Sequence, residues 1–181
     1  MRPVLCVLTA ATLAAQPIKW PASFEKLAKK ATEVADVTLE GSTLKLASKF
    51  LSGDEPDQVK IKNTISRLDG IYVKSFEFEK EGEYSPADLQ EIRSQINPAE
   101  WKKIVSVRSK GDGENVEIFI REKDGKSQGF LILSAEPREL TVVQILGSLT
   151  LDDLAGMEGE MGIPSIGVRN KEKKSGEKKE D

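Results

Sequence analysis

The sequence predicts an α+β fold: a mixed, mostly antiparallel sheet with helices packed on one face, a two-layer domain. Three observations carry this. Alternating apolar residues recur in 71–79 and 116–121, the period of a half-buried strand. Apolar residues at helical spacing mark 24–34 and 89–96. Strands dominate the second half, separated by short turn signals such as Asp124-Gly125. A domain of this kind needs an ordinary globular composition. The 181 residues are 38% hydrophobic and 31% charged, with a net charge of -3, and that length can bury a sizeable core.

In order along the chain, Phe24, Leu27, Ala28, Ala31 and Val34 form one stripe, predicting a helix over 23–34. Val37 and Leu39 share a face of a short strand that Gly41 ends. Leu44, Ala47, Phe50 and Leu51 mark a second helix. Asp57 is placed to cap a third, with Ile61, Ile65 and Leu68 on its stripe and Gly70 at its stop. Ile71–Glu79 is the clearest strand, with Tyr72, Phe76 and Phe78 on one side. Ser85 and Pro86 open a helix as cap and first residue. Its buried stripe is Leu89, Ile92 and Ile96. Strands follow at 104–108, 116–121, 130–135 and 140–146, and Thr150 caps a last short helix. The strand–helix–strand unit from Ile71 to Arg108 predicts one parallel crossover.

The ends of the chain differ from its middle. Residues 1–15, MRPVLCVLTAATLAA, place Arg2 before an uncharged Val/Leu/Ala run and end on small residues, the layout of a secretory signal peptide. Cleavage is expected after Ala15, with Ala14 as the alternative. Residues 16–168 then form a single domain. Residues 169–181 contain no apolar residue, which predicts a disordered charged tail. The expected location is periplasmic or extracellular.

Composition excludes several chemistries. The chain has no histidine, and its one cysteine, Cys6, leaves with the signal. Catalytic triads, imidazole bases and His or Cys metal sites are therefore out of reach. Without Arg2 and the tail, 20 basic and 26 acidic residues remain, hence -6, the wrong sign for phosphate neutralisation and so for nucleic acid. Ser-x-x-Lys occurs at Ser23/Lys26, Ser42/Lys45 and Ser175/Lys178, an unremarkable number for a chain this rich in serine and lysine. Glu77, Glu79, Glu81 and Glu83 would share a face if the strand ran through them, and could then engage a cation or sugar. The solvated side of an amphipathic strand explains them as well. Gly111-Asp112-Gly113 reads as a hairpin turn. Gly162 to Gly167 has the wrong spacing for a nucleophile elbow. Trp20 and Trp101 read as core, with a ligand platform as the lesser alternative. No catalytic, cofactor or metal residue is assigned.

Three groups of residues bear on ancestry: Gly70-Ile71-Tyr72-Val73-Lys74-Ser75-Phe76-Glu77-Phe78 with Gly82-Glu83-Tyr84-Ser85, Leu46-Ala47-Ser48-Lys49-Phe50-Leu51, and Ala135-Glu136-Pro137-Arg138-Glu139-Leu140-Thr141-Val142-Val143. Together they resemble the domain of unknown function 4252 family, exported bacterial proteins common in Acidobacteria and Bacteroidetes. The likeness covers about residues 20–165. It implies no catalytic residues, and its gene neighbourhoods imply an envelope-stress context.

The expected function is a non-enzymatic binding module of the cell envelope. Its partner would be another envelope protein or a membrane component, and it would not be an integral membrane protein once the signal is cut. A small apolar ligand carrier is the alternative, and a carboxylate- or Lys-based enzyme a more distant one. Phe119 discriminates: exposed, it would mark a binding face; covered by a helix, it is core. Export itself has a direct check. The intact mass of the exported protein is expected to fit a chain starting at Gln16, or at Ala15 for the alternative site. A cytosolic protein still starting at Met1 would overturn the leader.

Overall fold

Alternation along the strands explains the whole layout. A computed structural model describes residues 16–50, 56–111 and 113–157. The elements are α1 (Ser23–Lys30), β1 (Glu33–Glu40), α2 (Gly41–Phe50), α3 (Pro56–Ile65), β2 (Leu68–Glu77), α4 (Pro86–Ser94), β3 (Trp101–Arg108), β4 (Asn115–Lys123), β5 (Lys126–Glu136), β6 (Glu139–Gly147) and α5 (Leu151–Ala155). The six strands form one sheet in the order β1-β2-β6-β5-β4-β3, and every neighbouring pair is antiparallel. The class is α+β.

Two finer expectations change. The sheet is wholly antiparallel, not mixed. β2 and β3 do run the same way, but β6, β5 and β4 lie between them, so the predicted crossover spans the sheet without making a parallel pair. The helices also pack on both faces, not one. In β5, Phe130 and Ile132 join a core with Ile71, Val73, Ile118, Val143 and Ile145. Leu131 and Leu133 join a second core with Phe76, Leu140, Val142 and Phe119. Leu44 of α2, Ile65 of α3 and Leu154 of α5 cover the first. Phe24 and Leu27 of α1 and Leu89 and Ile92 of α4 cover the second. A strand apolar at both parities must be covered on both sides, because either bare face would leave large apolar area in water.

Several boundaries move for local reasons. α1 stops at Lys30, and Ala31 turns extended (ψ 142°), so that Val34 falls in β1 rather than in the helix. α3 stops at Ile65. Leu68 belongs to β2, and Gly70 is no helix stop: the Tyr72 ring lies where its Cβ would be, with Tyr72 Cε2 2.8 Å away. The Tyr72 hydroxyl donates to Glu40 Oε2 at 2.7 Å across the strand pair, and burial, then Glu40, push its pKa up to about 12. The Ser85–Pro86 helix start holds: the Ser85 N–H and hydroxyl both donate to Asp88 Oδ2, at 2.8 and 2.9 Å. So does the Asp124-Gly125 turn, with φ of 53° and 71° as a type I′ hairpin requires. The signal segment, the tail, Ser175/Lys178 and the Gly162–Gly167 stretch lie outside the described residues.

Two polar ties fix the periphery. Thr150 caps α5 in a box with Asp153, whose Oδ1 also accepts from Arg67 Nη2 at 2.7 Å and Thr64 Oγ1 at 3.1 Å. Burial alone would raise the Asp153 pKa, but the bonds from Thr150, Arg67 and Thr64 outweigh it and bring it to about 2. Gln144, buried in β6, accepts from the Ile18 N–H at 2.7 Å, and Gln95, just past the end of α4, bonds both backbone groups of Lys19. No helix among the described residues is long and apolar enough to cross a membrane.

Gly129 tests the close approach of β5 and β6. Its φ is +148°, and a Cβ there would lie 2.3 Å from the Ile145 carbonyl oxygen. Gly129→Ala is expected to cost about 2–4 kcal/mol in urea unfolding. A loss below about 0.5 kcal/mol would show that the strands separate freely there.

Candidate functional site

The sequence candidates scatter. β2 ends at Glu77, and Glu79, Glu81 and Glu83 fall in the following bend and turn, so the four glutamates share no strand face. The expectation failed because it needed the alternation to continue past the strand. Glu83 instead lies 3.7 Å from Lys30. The buried hydroxyl of Ser23 has no partner, so Lys26 does not reach it, while Ser42 and Lys45 are both exposed. Gly111 and Gly113 sit in the β3–β4 turn, as read. Trp101 is buried in the second core, and Trp20 packs at that core's margin, stacked on Phe24 at 6.1 Å. Phe119 is 7% exposed and lies in the core that α4 covers, so it marks no binding face.

What the fold does assemble is a groove at one end of the sheet. It forms where α4 crosses the ends of β4 and β5. Pro86, Leu89 and Arg93 of α4 form one wall, the Glu81–Tyr84 loop another, and Gly113, Asn115 and Pro137 the rest, around about 340 Å³. Gly113 makes this approach possible. Its φ is +69°, and a Cβ would sit 2.7 Å from Pro137 Cγ.

Three polar groups give the groove its chemistry. Tyr84 stacks on Phe78 at 5.7 Å, and its hydroxyl donates to the Glu136 carbonyl. Burial, then Glu136 and Glu139, push its pKa up to about 12, so it stays a neutral donor. Arg93 grips Glu117 with two nitrogens, Nε at 2.8 Å and Nη2 at 2.7 Å. Glu117 points into the second core face and also pairs with Lys103 of β3. Burial pushes its carboxyl up, but bonds from Lys103 and Arg93 prevail and hold it below the ordinary range. The third group is Asn115, whose Oδ1 is buried without a hydrogen-bond partner. A buried acceptor of this kind costs stability until a donor reaches it.

The rim is acidic. Glu33, Glu77, Glu139 and Glu136 stand in one row across β1, β2, β6 and β5. Burial, then Glu139 and Glu114, raise the Glu136 pKa. Among the described residues, no group of acidic side chains has the arrangement to hold a metal ion. Sequence reading missed the groove because its walls come from three separated stretches, 81–93, 113–115 and 135–137, none of which carries a catalytic or ligand-binding motif.

The fold and groove define a double-faced antiparallel α+β module with an open surface groove at one end of its sheet. The chain belongs to the family described as a domain of unknown function (DUF4252), whose model matches residues 25–157. No curated protein and no solved structure matches it.

The Arg93–Glu117 contact is testable through pH. In Arg93→Leu only Lys103 remains to offset burial, so the Glu117 pKa rises from its lowered position, and the loss is full at neutral pH and shrinks as pH falls toward protonation of Glu117. Urea unfolding is expected to show about 1–3 kcal/mol lost at pH 7 and less near pH 4, where Glu117 can take a proton. An equal loss at both values would mean that Arg93 acts through packing alone.

Proposed function

We propose that this protein is an exported, non-enzymatic binding module that captures an extended segment of another envelope protein in the groove beside α4. The observation that carries this is the unpartnered Asn115 Oδ1 beside the apolar surfaces of Tyr84, Leu89 and Pro137. Turned toward the slot, that buried acceptor suits a backbone N–H, and the volume, about 340 Å³, is that of a few residues. The rim beside it carries Glu77, Glu81, Glu136 and Glu139 against one basic residue, Arg138, an acidic excess that favours a segment carrying Lys or Arg. The predicted leader and the envelope context implied by the family resemblance support an exported partner.

A photoreactive amino acid at Glu81, on the rim, should form a defined adduct in cells making the full chain. The same group at Lys126, at the far end of β5, should not. Asn115→Leu should weaken the Glu81 adduct roughly tenfold, the worth of one buried hydrogen bond. Equal adducts from both positions, or none from Glu81, would remove the groove from the function.

A further inference from the structure

The two outer strands of the sheet match each other. β1 reads EVADVTLE, with Glu33, Asp36 and Glu40 and no basic residue. β3 reads WKKIVSVR, with Lys102, Lys103 and Arg108 and no acidic residue. Both are eight residues long and both lie at the sheet's edges. Among the described residues, three of the six exposed large hydrophobics sit on these strands: Val34 (42%), Ile104 (39%) and Val107 (38%).

Direction also fits. With six strands, all antiparallel to their neighbours, β1 and β3 run opposite ways. Moving one copy sideways along the sheet therefore sets its β3 antiparallel to the β1 of the next. A two-fold pairing of β1 with β1 would oppose acid to acid, and β3 with β3 base to base. Edge charges thus block both symmetric pairings and permit only the asymmetric one.

Register follows from the side-chain faces. Val37, Leu39 and Val105 belong to the first core, so Asp36 and Thr38 lie on the other face. Ser106 pairs with Glu117 and Arg108 with Asn115, and both share that second face. Placing Arg108 opposite Asp36 then puts Val107 opposite Val37, Ser106 opposite Thr38 and Val105 opposite Leu39. One charge pair, two apolar pairs and one hydroxyl pair result, each on its proper face. The bulge at Ile104 follows, so the matched stretch is short. Arg108 has no ion-pair partner among the described residues; Asp36 already holds Lys74 and can accept a second cation.

We infer that copies of this chain associate head to tail, β3 of one adding antiparallel to β1 of the next with Arg108 opposite Asp36. The contact is heterologous, so the series stays open, and strand twist turns it into a helix. It is separate from the groove, which neither edge strand lines; of the edge residues only Glu33, outside the matched stretch, belongs to the acidic row beside it.

The test uses the full chain with Cys6→Ala, carrying either Asp36→Cys or Arg108→Cys, with circular dichroism confirming the fold of each. Directly opposed residues are close enough for a disulfide. Mild oxidation of the mixture should yield linked pairs about tenfold faster than either protein alone, and high salt should slow it. Val34→Cys, two residues out of register, should link to Arg108→Cys no faster than background. By sedimentation, the average mass of the unaltered protein should rise with concentration beyond a dimer, and Arg108→Glu should stay monomeric. Homodimers as fast as the mixture, linkage from Val34→Cys, a plateau at dimer or a constant monomer mass would each overturn the inference.

Discussion

The structure depends on one constraint: its central strands are apolar on both faces. Ile132 and Leu133 are adjacent in β5, at most 1% exposed, and point to opposite cores. Val142 and Val143 do the same in β6. Two such neighbours cannot both be buried by one layer of helices. The chain must therefore return helices to both sides, which it does by sending α2, α3 and α5 to one face and α1 and α4 to the other. Each fully buried side chain of this size stabilises the fold by about 1.5–3 kcal/mol, so abandoning either layer would remove a large share of the driving force.

That constraint governs where polar groups can act. Inside the cores they must be satisfied, and most are. Ser75 and Thr141 bond each other across β2 and β6 at 2.6 Å, and Glu117 is held by Arg93 and Lys103. Breaking such a buried pair leaves a charge without a partner and costs far more than losing a surface pair. Not all are: Gln144 Nε2, in the middle of β6, has no hydrogen-bond partner, and neither has Asn115 Oδ1 at the start of β4. The surfaces proposed for binding lie at the ends and edges of the sheet, where the alternation that seals the middle stops.

Much of the fold was legible because it rests on local signals. The β4–β5 hairpin follows from the positive φ that Asp124-Gly125 adopts readily, and the start of α4 from Ser85, Pro86 and Asp88. Tyr72, Phe76 and Phe78 declared the parity of β2. What failed was non-local. Leu68 fits the stripe of Ile61 and Ile65 in spacing, yet pairing with β6 claims it for β2. Nothing in the periodicity of α1 or α2 says which face each covers, since an amphipathic helix fits either. Phe119 shows the same limit: beside Glu117 and Arg121 it reads as half of an open face, and only α4, from 25 residues upstream, makes it core. The groove was illegible for the same reason, being a product of the long β2–α4–β3 crossover.

The groove and the matched edges concern different parts of the sheet, and their geometry makes them compatible. The groove is walled by α4, two turns and the ends of β4 and β5; the edges are β1 and β3. Pairing of copies through the edges would leave each groove open and all of them on the same face of a shared sheet. A weak single site then gains from repetition, because a partner held by one copy meets the next at high effective concentration. A short β pairing limited by the Ile104 bulge suits this arrangement better than a long one would. It would let the series grow and come apart with concentration and salt, whereas an unbroken apolar edge would lock copies together irreversibly.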